Sequence, residues 1–296
     1  MKTKYEERNF TPATLATIQK AEEIITEYQA AGFSLTLRQI YYQFVARGLI
    51  ANTEQSYKRI GDVVSAGRRA GLLDWEAIED RTRYLRRLSS WSGPRSILES
   101  ARDSFHLDLW SNQARRVEVW VEKDALVGIM ERVCNENDVP FFSCRGYVSD
   151  SEMYVGAMRI RRHYREGQST LLLHLGDHDP SGIDMTRDIT ERLDLFTRGR
   201  TGLEVRRIAL TMEQIDDLQP PPNPAKVTDS RYQSYCDLYG EESWELDALD
   251  PQYLYDLVLK HILEEREADK WDARVNEQEE QRERLTELMD ELEEDE

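Results

Sequence analysis

The chain has 296 residues, of which 40% are hydrophobic and 32% charged, and its formal net charge is −18. This composition predicts a globular protein of one or two domains, and no apolar run approaches the ~20 residues that cross a bilayer. The N-terminus has no apolar signal core, and the three cysteines lack the spacing of a zinc site or a disulfide framework. We therefore exclude secreted and membrane-spanning classes and expect a cytoplasmic protein.

The negative charge is concentrated towards the C-terminus. Residues 1–118 carry 18 basic and 15 acidic residues, a net of +3. Residues 119–240 carry a net of −5, and residues 241–296 a net of −16. The overall acidity therefore does not exclude a nucleic-acid partner for the N-terminal part.

The first hundred residues show helical patterns separated by turns. Residues 10–30 have helical spacing, with Thr11 in the N-cap position before Pro12. Two further helices are predicted over 37–44 and 54–70. Several short helices joined by tight turns are typical of a helix-turn-helix or winged-helix module, which we place in residues 1–112.

Basic residues are enriched in this region. Residues 34–87 contain ten basic and six acidic residues, a net of +4. The arginines proposed to bind DNA are Arg68, Arg69, Arg81, Arg83, Arg86 and Arg87. Such a cluster can contact phosphates, although a net of +4 also suits an ordinary solvated surface.

The middle of the chain changes to alternating strands and helices. Strands are predicted over 117–121, 139–144, 171–175 and 205–210, with helices over 124–136, 151–166 and 181–196. This alternation predicts a parallel α/β sheet flanked by helices, which we place in residues 113–218. Sites in such sheets form at the carboxyl ends of strands, and this rule selects Glu122, Asp177 and Asp179.

The C-terminal part has a proline-rich segment followed by an acidic segment of helical composition. Residues 219–224, with the sequence QPPPNP, favour a stiff linker. Residues 252–292 are acidic and helical in composition, with an imperfect apolar stripe. We therefore expect residues 219–296 to form a linker followed by an acidic helical tail.

The predicted site residues are carboxylates. Asp177 and Asp179 stand two residues apart after a strand, and Glu122 ends another strand, so the three can converge. Their oxygens suit a hard cation, Mg²⁺ or alternatively Mn²⁺, which would stabilise displacement at phosphorus. The Asp-x-Asp pair also suits a helix cap, and Lys123 suits either a phosphate contact or a solvated strand end.

The order strand-Glu-Lys, then strand-Gly-Asp-x-Asp-Pro-x-Gly, resembles the Toprim domain of topoisomerases, primases and related nucleases. The forms Glu122-Lys123-Asp124-Ala125 and Asp179-Pro180-Ser181-Gly182 are most similar to the topoisomerase VI A-subunit and meiotic double-strand-break branch. Segment 244–249, WELDAL, resembles an element that follows Toprim in that branch. Arg38-Gln39-Ile40-Tyr41-Tyr42 resembles its catalytic-tyrosine motif, which lies in a winged-helix domain.

The resemblance implies roles for several residues. Glu122, Asp177 and Asp179 would hold the metal, and Glu122 could alternatively serve as a general base. Tyr42 would be the nucleophile, with Tyr41 the less favoured choice, and Arg38 would steady the phosphate or activate the phenol. Both tyrosines also suit simple helix packing, in which case the enzyme would be a hydrolytic nuclease.

The sequence thus favours a Mg²⁺-dependent enzyme that cleaves double-stranded DNA, by hydrolysis or through a phosphotyrosyl link. Position 181 is serine, so the acidic triplet of some Toprim proteins stops at two members. The sequence has no Gly-x-x-x-x-Gly-Lys-Ser/Thr motif, so ATP-driven strand passage would need a separate ATPase subunit. We expect a homodimer, since one site cuts one strand. The alternatives are a non-catalytic DNA-binding subunit of a topoisomerase VI-like or defence assembly, and phosphoryl chemistry on RNA or nucleotides.

Overall fold

A computed structural model describes residues 2–79, 88–199 and 201–294 of the chain. The N-terminal part is helical, with one pair of short parallel strands. Its elements are α1 Pro12–Ala30, β1 Leu35–Thr36, α2 Leu37–Ala46, α3 Glu54–Arg69, β2 Ile78–Glu79 and α4 Pro94–Asp103. Four of the predicted arginines, Arg81, Arg83, Arg86 and Arg87, lie outside the described residues.

Side-chain caps explain where the first helices begin. The Thr11 hydroxyl accepts the Thr14 N–H, and Pro12 occupies the first turn, as the sequence predicts. Thr36 and Gln39 form a reciprocal capping box at the start of α2. This cap fixes the start of the helix that carries Arg38 and Tyr42.

The middle of the chain alternates strands and helices, which confirms the predicted mixed α/β architecture. Its elements are β3 Arg115–Val121, α5 Val127–Glu136, β4 Phe141–Ser143, α6 Asp150–Arg165, β5 Ser169–Leu175, α7 Pro180–Thr197, β6 Leu203–Ala209 and α8 Met212–Leu218. The four strands form one parallel sheet in the order β4-β3-β5-β6. The register pairs Val121 with Leu175, so β3 and β5 end side by side.

Both faces of the sheet are buried. Successive side chains of a strand point to opposite faces. Val119 and Val121 therefore pack with α5 on one face, whereas Trp120 packs with α6 and α7 on the other. The result is a layer of strands between two layers of helices.

The C-terminal part begins with short elements and ends in two helices. These are β7 Asn223–Pro224, α9 Tyr232–Tyr239, β8 Glu242–Ser243, α10 Pro251–Glu265 and α11 Ala268–Glu294. Leu254, Val258 and Ile262 of α10 are buried in the same core as β3 and β5. The α/β core thus includes a helix well beyond residue 218, where the sequence placed the end of that domain.

The N-terminal helices contact the α/β core directly. The Tyr28 hydroxyl donates to Asp250 at the start of α10, at 2.5 Å. The Arg132 guanidinium of α5 lies over the rings of Phe33 and Tyr255, at 4.8 and 5.1 Å from their centres. Among the described residues, no helix has the length and apolar character needed to cross a membrane.

Gly182 allows the tight turn from β5 into α7. A Cβ atom at this position would lie 2.2 Å from the Asp177 carbonyl oxygen, closer than any real contact. Gly182→Ala should therefore lower the free energy of unfolding by about 1–3 kcal/mol, because the Asp177 backbone must move. Denaturant unfolding followed by tryptophan fluorescence measures the change.

The matched control is Gly93→Ala. Nothing lies within 4 Å of a Cβ atom at Gly93, and the backbone there is extended. Because Gly93 is the N-cap of α4, where alanine is less favourable than glycine, its stability should fall by less than about 1 kcal/mol. A Gly182→Ala variant as stable as this control would contradict the predicted clash.

Candidate active site at the carboxyl edge of the sheet

Glu122 and Asp177 meet where β3 and β5 end. The Asp177 N–H donates to Glu122 Oε2 at 2.8 Å, and the Glu122 N–H donates to the Leu175 carbonyl at 2.8 Å. A Cβ atom on Gly176 would lie 3.1 Å from Glu122 Oε2, so a side chain there would crowd the carboxylate. The structure thus brings together two of the three acidic residues that the sequence selects.

Lys123 lies directly against this pair. Its Nζ is 2.7 Å from Asp177 Oδ2, while Asp177 Oδ1 accepts the Leu246 N–H at 2.9 Å. Asp177 is only 5% exposed, so its carboxylate depends on these two donors for neutralisation. Lys123 is therefore the counter-cation of the site and not a solvated strand end.

Asp179 has a different environment. It is the N-cap of α7, with its Oδ1 accepting the Gly182 N–H at 2.6 Å and the Ser181 hydroxyl at 2.9 Å. One oxygen of the predicted third ligand thus serves as a helix cap. His178, between the two aspartates, is buried and its Nδ1 lies 2.8 Å from the Tyr235 hydroxyl.

Two further acids extend the site towards the N-terminal helices. Glu245 accepts a hydrogen bond from Arg38 and another from Lys123 Nζ at 3.4 Å. Asp247 Oδ2 accepts from Arg38 Nε at 2.6 Å. The sequence analysis did not select Glu245 or Asp247 as site residues, although the WELDAL resemblance was the signal that could have identified them.

Tyr42 belongs to the same network. Arg38 Nη2 lies 3.5 Å from the Tyr42 hydroxyl, which also hydrogen-bonds Glu245. The Tyr41 hydroxyl instead donates to Asn52 Oδ1 at 2.7 Å. Both rings pack in the N-terminal core, so the packing role is real for both, but only the Tyr42 hydroxyl reaches the acidic network.

A small cavity lies beside this tyrosine. Its volume is about 260 Å³, and it is lined by Arg38, Tyr41, Tyr42, Asn52, Thr53, Glu54, Tyr57, Asn223 and Glu245. Arg38 and Glu245 thus each face both the cavity and the acidic network. A group entering the cavity would meet a guanidinium, two carboxylates and three phenols.

The buried acids hold their protons more tightly than usual. Burial, and then the charge of Asp177, raises the pKa of Glu122 to about 7. Burial also raises the pKa of Asp177 and raises that of Asp247 to about 6. Asp247 Oδ1 is buried with no hydrogen-bond partner among the described residues. Burial is therefore the main reason that these acids favour their protonated forms.

The carboxylates also change the pKa values of the neighbouring cations. Burial alone would lower the pKa values of Arg38 and Lys123, but the surrounding carboxylates outweigh it and raise both. The pKa of Tyr42 is raised, first by burial and then by the charges of Asp247 and Glu245. The Tyr42 phenol is consequently protonated at neutral pH in this arrangement.

Arg207 supplies a further positive charge that sequence analysis missed. Its Nη2 donates to the carbonyl oxygens of Gly176 at 2.9 Å and Asp177 at 2.5 Å, and its Nη1 donates to that of Gly182 at 2.9 Å. Burial lowers its pKa to about 10, so it remains charged at neutral pH. Two adjacent arginines, Arg206 and Arg207, inside the β-type run 203–209 were the available signal.

The two described arginines of the predicted DNA-binding cluster, Arg68 and Arg69, make different contacts. Arg68 turns inwards, with Nη2 donating to the Trp75 carbonyl at 2.5 Å and the guanidinium stacked on the Trp75 ring at 4.6 Å. Arg69 is more exposed and lies 3.3 Å from Glu6. Arg68 therefore has a structural role, while a phosphate contact by Arg69 stays a prediction.

Within the described ranges, no three His, Cys, Asp or Glu side chains converge in an arrangement that could hold a metal ion. Comparisons of the chain with protein-family models, curated proteins and solved structures gave no match. The functional argument therefore depends on the geometry and charge of the site itself.

The raised pKa of Glu122 predicts a pH dependence of stability. Its folded-state pKa of about 7 exceeds the ordinary 4.5, so the folded state binds the extra proton between these values. The Glu122 contribution to the free energy of unfolding should thus fall as pH rises from 4.5 to 7, by about 3 kcal/mol at most. Glu122→Gln should remove this fall in metal-free buffer with EDTA.

Glu131→Gln is the control, because Glu131 is an exposed carboxylate on the neighbouring helix α5. Its unfolding free energy should follow the wild-type pH profile. If Glu122→Gln also follows that profile between pH 4.5 and 8, Glu122 does not have the raised pKa.

Proposed function

We propose that this chain is a Mg²⁺-dependent enzyme that cleaves double-stranded DNA, built from a Toprim-type α/β unit and an N-terminal winged-helix-like unit. The observation that carries the proposal is the contact between Glu122 and Asp177 at the carboxyl edge of the sheet, beside Lys123. A parallel sheet flanked by helices supports the Toprim assignment without distinguishing it from other parallel α/β folds.

The carboxylates of this site suit Mg²⁺ even though they are few. This ion is usually held by one or two protein carboxylates together with water and substrate phosphates, and dedicated all-protein cages are rare. Glu122 and Asp177 would hold it, with Asp179 as a third predicted ligand through its second oxygen. Burial raises the pKa values of Glu122 and Asp177, and a bound divalent cation would stabilise their charged forms.

The ion would supply electrostatic stabilisation of the negative charge that develops on phosphorus oxygens. The protein's own cations would do the rest. Lys123 pairs with Asp177, and Arg38 pairs with Glu245 beside Tyr42. A DNA phosphate could replace either carboxylate as the partner of its cation. In the alternative in which Asp177 and Asp179 hold the ion without it, Glu122 would accept a proton from an attacking water.

Hydrolysis is favoured over a phosphotyrosyl mechanism. A tyrosine nucleophile needs a lowered pKa or a nearby base, whereas burial and neighbouring acids raise the pKa of Tyr42. Arg38 lowers the pKa of Tyr42, so the transesterase remains the second candidate mechanism.

We propose a homodimer, because cutting both strands of a duplex needs two sites. Light scattering that finds only monomers with and without DNA would contradict this. A separate ATPase subunit would be needed for strand passage.

The metal site is tested by Asp177→Asn. The substitution keeps the size of the side chain and removes its charge, so Mg²⁺-dependent cleavage of supercoiled plasmid should fall by about 100-fold or more. DNA affinity, measured by fluorescence anisotropy, should change little. Asp216→Asn, an exposed aspartate on α8, is the matched control and should cut normally.

Full cleavage by Asp177→Asn would exclude this site. If the wild-type protein binds duplex DNA but does not cut it with Mg²⁺ or Mn²⁺, the chain is a DNA-binding subunit, and catalysis lies elsewhere.

Tyr42→Phe distinguishes the two mechanisms. Hydrolysis predicts cleavage within about threefold of wild type and DNA ends free of protein, because the phenol takes no part in the chemistry. Tyr41→Phe is the control for loss of a tyrosine hydroxyl from the same helix. Labelled DNA that stays attached to the wild-type protein in denaturing gels, together with loss of cleavage in Tyr42→Phe alone, would establish the transesterase instead.

A further inference from the structure

A basic cavity lies at the end of the sheet opposite to the candidate active site. It has a volume of about 400 Å³ and is lined by Arg161, Tyr164, Arg165, Thr197 and Arg198. These residues come from the C-terminal ends of α6 and α7. The carboxylates of the candidate active site follow the strands, whereas this cavity lies where α6 and α7 return to the strand beginnings.

The three arginines of this cavity have no acidic partner among the described residues. Arg159 on the same helix differs from them, because its Nε donates to the buried Glu118 carboxylate at 2.7 Å. In the part of the chain that the structure describes, no carboxylate forms an ion pair with Arg161, Arg165 or Arg198. Three like charges around one cavity attract an anion strongly, and the cavity walls limit its hydration.

Helix C-termini do attract basic side chains, and this effect accounts for part of the pattern. It explains Arg165 in the last turn of α6, but it does not require a cavity between two helix ends. The volume of this cavity falls within the range of about 300–1,000 Å³ that is usual for ligand pockets. Tyr164 adds an exposed aromatic ring at its wall, on which a base can stack.

We propose that this cavity binds the phosphates of a nucleotide, with Arg161, Arg165 and Arg198 as phosphate contacts and Tyr164 as a stacking surface. The nucleotide is either free or part of a single strand. Guanidinium groups suit phosphate oxygens because they offer several donors in one plane. This site is independent of the acidic active site and does not depend on the DNA-cleavage proposal.

Calorimetric titration with pyrophosphate and with ADP, and anisotropy of a labelled ten-nucleotide single strand, test the proposal. The double variant Arg161→Ala/Arg165→Ala and the single variant Arg198→Ala should each weaken binding of at least one probe by about tenfold or more. Tyr164→Leu should weaken ADP or the single strand and leave pyrophosphate binding unchanged. Binding of ADP identifies a free nucleotide as ligand, and binding of the strand alone identifies nucleic acid.

Arg162→Ala is the matched control, because Arg162 carries the same charge on α6 but does not line the cavity. It should bind every probe within about twofold of wild type, and circular dichroism should show all variants folded. No binding of any probe by the wild type would overturn the proposal. An equal loss in Arg162→Ala would do the same, since it would reduce the effect to general surface charge.

Discussion

The concentration of buried carboxylates at one edge of the sheet is the constraint on which the rest of the site depends. Parallel pairing of β3 with β5 places Glu122 beside Asp177, and burial raises the pKa values of both. Such charges are tolerated only where cations or donors compensate them. Lys123 and Arg207 perform this role from within the α/β unit, through a salt bridge and through backbone carbonyls respectively.

The same requirement links the two halves of the chain. Arg38 on α2 bonds both Glu245 and Asp247, so a helix of the N-terminal part completes the charge balance of the α/β part. Ion pairs of this kind contribute little net stability, because desolvation offsets most of the attraction. Their value lies in placement, since they hold two cations and a tyrosine hydroxyl beside the acids that the proposed chemistry needs.

The sequence predicted the sheet because short β-type runs alternate with helical segments, even though Glu118, His174 and Arg207 interrupt those runs. It also predicted that Glu122 and Asp177 would meet, since strand ends in a parallel sheet share an edge. It could not predict the bonding of Lys123, or that Asp179 would use one oxygen as a helix cap. Those outcomes depend on side-chain geometry across long separations. The sequence indicated an apolar stripe in this region, but it could not show that α10 buries Leu254, Val258 and Ile262 in the core of the sheet.

The acidic network joins segments that are very far apart along the chain. Arg38 and Asp247 are separated by 209 positions, and Asp177 and Leu246 by 69. During synthesis the N-terminal helices leave the ribosome long before residues 245–247 exist, and domains generally fold as they emerge. A nascent or prematurely terminated chain would therefore lack the acids that position Arg38 and Lys123. The complete acidic network is assembled only once translation has passed these residues.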